Sequence, residues 1–225
     1  MTTNPSPPRL SSISPTAPKA IIFDLLTALL DSWSVWDHAA GGSSSLGHAW
    51  RAQYLELTYG CGVYRPYESL VAESAAKTPG LSSSAPATLL AAWDTLAPWP
   101  EVPELLAKLR DRGYHLAVMT NCSADLGRRA ARRCGIGFEF DAVVTAEEAG
   151  FYKPHPAAYA KVLEVLGVKA EEALFVAGSA ADVPGAAAAG MRVVWHNRIG
   201  LPRKPGAKAE KEGETLGEVL EGVVL

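Results

Sequence analysis

Ala20-Ile21-Ile22-Phe23-Asp24 sets four apolar residues directly before a carboxylate. A short apolar run without alternation is what a parallel strand buried on both faces requires, and a polar residue at its carboxyl end is delivered to the sheet edge. Active sites of open α/β sheets lie at that edge. The spacing therefore predicts a strand ending at Asp24 and makes Asp24 a candidate functional residue.

Similar runs occupy residues 115–119, before Thr120 and Asn121, then 142–145, 173–176 and 192–195. Between them, apolar periodicity predicts helices over 101–112, 125–134, 156–166 and 183–189. Each is followed by a glycine (Gly113, Gly135, Gly167, Gly190), the residue that stops a helix in the left-handed conformation. Strands alternating with such helices predict an α/β fold, a doubly wound parallel sheet with a Rossmann-like core and right-handed crossovers.

The alternation lapses between residues 34 and 96, where 48–59 and 87–96 look helical and no strand intervenes. This segment is expected to be a small inserted helical cap, with 20–33 and 97–225 forming the core. Pro98 and Pro100 mark the return, since proline disfavours helix continuation. Residues 202–213 read as a charged loop before a short final helix. The first nineteen residues are rich in Ser and Pro and lack the pattern of a secretory signal, so 1–19 is expected to be a disordered leader.

The chain has 225 residues, 48% of them hydrophobic and 20% charged, with a formal net charge of -3. That balance argues against wholesale disorder and against a general affinity for nucleic acid. Cys61, Cys122 and Cys134 leave an odd thiol and show no zinc spacing, which fits reduced thiols in the cytoplasm. The apolar run 20–30 is broken by Asp24 and is too short to span a membrane. The expected partner is a small-molecule substrate, with no nucleic acid and no membrane; a homodimer is the assembly considered.

Asp24, Thr120, Lys153 and Asp182 each follow an apolar strand or open the next helix. With their surroundings, IIFDLLTALLD (residues 21–31), AVMTNCS (117–123), FYKPHPAAY (151–159) and LFVAGSAADVPGAAAAGM (174–191), the chain resembles the haloacid dehalogenase-like hydrolase superfamily over residues 20–200. Within it, AWRAQYLELT (49–58) and VVWHNRIG (193–200) are similar to the 2-haloacid dehalogenase branch. The resemblance implies Asp24 as covalent nucleophile, Thr120 and Asn121 as donors to substrate or intermediate, and Lys153 as the cation beside the nucleophile. Asp182 would orient Lys153 and help place water. Arg51 would reach from the cap to a substrate carboxylate or leaving group, and Tyr159 and Ser179 would line the substrate pocket. His196, at a strand end, is a further candidate for donating to substrate. In such a scheme the carboxylate attacks an electrophilic carbon and water then hydrolyses the ester, which divides one difficult displacement into two easier steps.

Magnesium-dependent phosphatases of the superfamily carry a second Asp where this chain has Leu26, and an acidic ligand where it has Gly178. No metal or cofactor is therefore expected. The dehalogenases' Tyr-Gly-Thr after the nucleophile is Leu26-Thr27-Ala28 here, and Ala177 and Ser179 stand for their Ser and Asn. These departures imply a divergent hydrolase acting on a carbon-halogen, epoxide or strained-ring bond of a small carboxylate-bearing molecule. A magnesium-dependent phosphatase, or a non-hydrolytic enzyme or binding protein using the same pocket, are the alternatives. Plainer readings stand beside these roles. Arg51 fits a surface ion pair with Glu56 or another carboxylate, Trp33, Trp36, Tyr54, Tyr59, Tyr64 and Tyr67 fit either the lining of an apolar substrate pocket or, as the default for most, packing of the cap, and Cys122 has no nearby His in sequence to activate it.

Overall fold

A computed structural model of the protein describes residues 17–206 and 208–225. The leader expected over 1–19 thus lies outside the described residues except for its last three. Of these, Lys19 already belongs to the core: its N–H donates to the Glu172 carbonyl at 2.7 Å and its carbonyl accepts from His115 at 3.1 Å.

Six parallel strands form one sheet: β1 (Ala20–Asp24), β2 (His115–Thr120), β3 (Ala142–Thr145), β4 (Ala173–Ala177), β5 (Arg192–His196) and β6 (Lys211–Gly213), in the order β3-β2-β1-β4-β5-β6. Every residue of β1 is buried, as the apolar run requires. β1 pairs with β2 on one side and β4 on the other, so the strand order reverses there and Asp24 ends the strand at the switch point. β6 corrects the expectation of a loop. Its Lys-Glu-Gly sequence has no apolar run to announce a strand, yet Val194, Trp195 and His196 of β5 pair with it as an edge.

Between β1 and β2 lie four helices, α1 (Ser32–Ala39), α2 (Ser44–Gly60), α3 (Tyr67–Ala76) and α4 (Ala85–Ala91), then a 3-10 turn at Trp93–Thr95. Only α2 and α4 are anticipated by sequence, and α4 ends short of residue 96. α1 starts at Ser32, earlier than the expected cap boundary, because the Asp31 side chain caps it by accepting from Ser34 at 3.1 Å. Rings fill the interior of this layer: Trp36 lies 4.6 Å from Trp50, and Tyr67 lies 5.3 Å from Tyr54 and 5.6 Å from Trp93. Such pairs stabilise by about 0.5–1.5 kcal/mol beyond their burial, which supports packing as the role of these aromatics. The two chain segments joining this layer to the sheet are clasped together, Asp31 donating to Ala97 at 2.9 Å and Trp99 to Leu29 at 3.0 Å.

Beyond it follow α5 (Val102–Asp111), α6 (Ala124–Ala131), α7 (Ala146–Ala149), α8 (Pro156–Leu166), α9 (Asp182–Ala188) and α10 (Leu216–Leu220). Alternation along β1 divides the core in two. Ile21 and Phe23 pack with Leu105, Leu109, Leu126 and Val219 of α5, α6 and α10, whereas Ile22 packs with Tyr159, Val162 and Ala186 of α8 and α9. Both faces are covered, as the doubly wound reading requires. Gly113, Gly167 and Gly190 adopt positive φ (84, 65 and 86°) as helix stops. Gly135 does not: its φ is 176°, extended backbone, and α6 is closed instead by a 3-10 turn at Arg132–Cys134. Among the described residues no helix is long and apolar enough to cross a membrane.

Candidate active site

The carboxyl edge of β1 opens into a cavity of about 390 Å³ roofed by α1 and α2. At its floor Lys153 Nζ donates to Asp24 Oδ1 at 2.7 Å and to Asp182 Oδ2 at 3.1 Å. All three side chains are buried. Burial alone would raise Asp24, but the Lys153 ammonium and the Thr27 donors outweigh it and hold this carboxyl below the usual range. Burial also drives Asp182 upward; Lys153 pulls it back, Asp24 pushes it up again, and the net direction is up. Burial lowers Lys153, but its two carboxylates raise it more, so it stays a cation. The environments of the two carboxylates thereby push their proton affinities apart, Asp24 toward the ionised form and Asp182 toward taking up a proton.

The loop after β1 completes the surroundings of Asp24. Asp24 Oδ2 accepts from the Thr27 N–H at 3.0 Å, from the Thr27 hydroxyl, and from the Ala28 N–H at 3.3 Å. Thr27 was not singled out in the sequence. Its signal is a hydroxyl residue close behind a strand-end carboxylate, the local side-chain to backbone pattern of a turn.

Arg51, on α2, is buried over this floor, and burial depresses its basicity while Tyr67 and Asp24 support its charge. Its guanidinium carbon lies 4.0 Å from the Trp33 ring centroid, a cation-π contact, and Nη1 donates to Ser32 at 2.8 Å. Among the described residues no other hydrogen bond engages the guanidinium, and the side chain lines the cavity. A surface ion pair with Glu56 is not formed.

Four other candidates sit differently from expectation. Asn121 lines the cavity, but its amide is committed to the backbone of Lys153, donating to the carbonyl at 2.9 Å and accepting from the N–H at 2.7 Å. It places Lys153 rather than offering a free donor. Thr120 is buried at the end of β2 with its hydroxyl 3.5 Å from Cys122 Sγ, behind the cavity wall. Tyr159 also lies behind the wall; its hydroxyl donates to Asp182 Oδ1 at 3.1 Å. His196 corrects the substrate-donor reading outright. Its ring nitrogens face the Ala28 carbonyl at 2.8 Å and the Glu214 carbonyl at 3.1 Å, so it joins the β1 loop to the segment after β6. Ser179 does line the cavity, and its hydroxyl accepts from the Asp182 N–H at 3.3 Å. Cys122 is buried, and burial pushes its thiol up to about 12, which leaves it unreactive.

The cavity also gathers Trp33, His48, Tyr59 and Lys204. Trp33 and Tyr59 are among the aromatics that the sequence offers either as pocket lining or as cap packing, and both line the cavity. Lys204 belongs to a charged loop and carries no local signal; its Nζ stands 4.8 Å from the Tyr59 ring.

A divalent cation of the phosphatase type does not fit these residues. The space between Asp24 and Asp182 is bridged by an ammonium, the Leu26 side chain offers no ligand atom, and the Leu26 carbonyl already accepts from the Ser32 hydroxyl. At Gly178 even a Cβ would lie 2.2 Å from Thr27 Oγ1, 2.4 Å from the Ala28 nitrogen and 2.7 Å from Asp24 Oδ2. The β1 loop occupies the place a metal-binding side chain would need.

A family model described as haloacid dehalogenase-like hydrolase matches residues 18–190. The chain belongs to that family. It is 32% identical to "Haloacetate dehalogenase H-2" of Moraxella sp. (strain B) over 195 residues, 81% of this chain and 87% of the relative. It is 32% identical to an (S)-2-haloacid dehalogenase of Xanthobacter autotrophicus, covering 80% and 76% of the two chains. Among solved structures, an L-2-haloacid dehalogenase from Xanthobacter autotrophicus with chloropropionic acid covalently bound superposes with a TM-score of 0.78 at 25% identity, covering 91% of this chain and 97% of that one. The protein is thus a haloacid dehalogenase-like hydrolase whose relatives include 2-haloacid dehalogenases.

Proposed function

We propose that this hydrolase acts at carbon without a metal, displacing halide from a 2-halocarboxylic acid through an ester on Asp24. The observation that carries this reading is Lys153 bridging Asp24 and Asp182 beneath a buried, only partly engaged Arg51. Arg51 takes the substrate carboxylate on its remaining donors, in the fork geometry suited to a carboxylate. Ionised Asp24 attacks the carbon bearing halogen; the C–O bond forms and the halide leaves with the bonding pair. Water then adds to the ester carbonyl, delivering its proton toward Asp182. Collapse of the adduct expels the alkoxide, which is protonated to the hydroxy acid, and regenerates the Asp24 carboxylate.

The oxyanion of that second step finds donors already aimed at Asp24 Oδ2: the N–H groups of Thr27 and Ala28. Of the donors expected from sequence, which are Thr120, Asn121 and nearby backbone amides, these are the backbone amides; the Asn121 amide is engaged with the Lys153 backbone. Phosphate monoesters suit the site less well. The triad of Asp24, Lys153 and Asp182 carries one net negative charge, and the cation that would offset a dianion has no seat.

The test is halide release from 2-chloro and 2-bromo acids in the presence of a strong chelator. Activity that persists supports the proposal, and in single turnover in heavy-oxygen water the label enters Asp24 before product. Magnesium-dependent hydrolysis of phosphate esters, with no halide released, would replace it.

A further inference from the structure

The cavity is much larger than the chemistry at its floor demands. A volume of about 390 Å³ falls in the range of about 300–1,000 Å³ that receives drug-sized ligands, whereas a halogenated acetate or propionate has only about five or six heavy atoms. The cavity's lining as a whole is more apolar than polar, and its part away from Asp24 runs between α2 and the loop after β5. Ala52 and Leu55 of α2 face it from one side. Ala180, Leu201 and Pro202 face it from the core, and Tyr59 closes one flank. Small side chains at 52 and 180 leave the space open. Ala52 is solvent-exposed and Ala180 and Leu201 half-buried, so the chamber leads from the floor to the surface.

We infer that the substrate carries a substantial apolar substituent, an alkyl chain of about four or more carbons or an aromatic ring, next to its carboxylate-bearing reactive carbon. This rests on the proposed chemistry at Asp24 and assigns the group that the remaining space receives. The charged groups fix the direction in which that substituent runs. Arg51 and the Asp24–Lys153–Asp182 floor hold the acid end, and the exposed Glu56 and Lys204 stand at the mouth, so the apolar group lies between them.

Two measurements test this together. The first is competition by unreactive acids, acetate, butanoate, hexanoate and phenylacetate, followed by calorimetry. The second is halide release from the matching 2-bromo acids. Full burial of one methylene corresponds to about a three- to fourfold gain in affinity. Because the chamber is open at one end, hexanoate is expected to bind at least tenfold more tightly than acetate, with kcat/KM rising along the bromo series. Ala52→Phe, at an exposed helical position that tolerates a larger side chain, should remove most of that gain, so that turnover of 2-bromohexanoate falls by a much larger factor than turnover of bromoacetate. Ala180→Leu should act in the same direction from the core side. Equal binding of acetate and hexanoate, or a rate maximum at two or three carbons unmoved by either variant, overturns the inference while leaving the Asp24 chemistry standing. Tighter binding of longer acids without halide release from any bromo acid keeps the chamber assignment and removes the carbon-halogen reading.

Discussion

The floor and the roof of the cavity are built on different principles. On the floor, every charged group is held from several directions: Asp24 by Lys153 and the β1 loop, Lys153 by two carboxylates, Asp182 by Lys153, Tyr159 and its own contact with Ser179. Under the roof, among the described residues, Arg51 has one hydrogen bond and the faces of two rings, Trp33 and Trp36, and most of its donors remain free. A group that must react from one fixed position needs over-determination, whereas a group that must receive a substrate needs unused valences. Substitutions in the floor should therefore disturb both rate and stability, and those in the roof chiefly selectivity.

The sharpest break comes at Asp24, the nucleophile of the proposed reaction. Asp24→Asn is near-isosteric and is expected to reduce turnover by at least about 10⁴-fold, the scale on which loss of a covalent nucleophile is felt, with its circular dichroism unchanged. Residual turnover within tenfold of the parent would assign the attack to water. Lys153→Met should be almost as damaging to rate and also costly to the fold. It leaves two buried carboxylates facing each other, and stranding a buried charge costs about 3–5 kcal/mol. Urea unfolding measures this, and adding Asp182→Asn to Lys153→Met should return part of the lost stability. A double variant no more stable than the single one would show that the two carboxylates do not repel.

Arg51→Lys tests the roof. Its charge survives but the fork does not, so kcat/KM for an anionic substrate should fall ten- to a hundredfold, equivalent to about 1.5–3 kcal/mol, with little change in midpoint of unfolding. An uncharged analogue should lose much less. Equal losses for both would mean that Arg51 serves the packing of Trp33 and Ser32 instead of the carboxylate.

The same division decides what could be read from sequence. On the floor, Asp24 was legible from the apolar run that it ends, whereas Lys153, which meets it from 129 positions apart, and Asp182 gained their roles only through the resemblance of their motifs. Asn121, beside a strand end, and Tyr159, within α8, also came through that resemblance, but their hydrogen-bond partners could not be read. A strand-end residue's neighbours are known only once the β2 register and the packing of α8 are fixed. The roof was read less completely. α1 and α3 are short and depend on aromatic contacts across the layer more than on a strong apolar stripe, and Lys204 reaches the cavity from a loop with no periodicity at all. β6 escaped because an edge strand of charged residues is supported from one side only.

His196 offers the smallest and most conditional effect, and it lies on the floor's outer margin. Burial lowers its pKa below 6.5, only partly opposed by the Ala28 and Glu214 carbonyls, so the folded protein favours the neutral ring more than the unfolded chain does. Between the folded and unfolded pKa values the unfolded state binds more protons, and stability therefore rises with pH in that window. The contribution is fully present above about pH 6.5 and is lost as pH falls toward the folded value, at no more than about 1.4 kcal/mol per pH unit for one proton. His196→Gln keeps a donor near one carbonyl and removes the titration. Urea unfolding at pH 8 and pH 5.5 should show the parent losing more stability on acidification than His196→Gln does, although the variant starts lower at pH 8. Equal losses in the two proteins would place the acid sensitivity in the buried carboxylates. The bridge from β1 to the segment after β6 would then be indifferent to the charge on its ring.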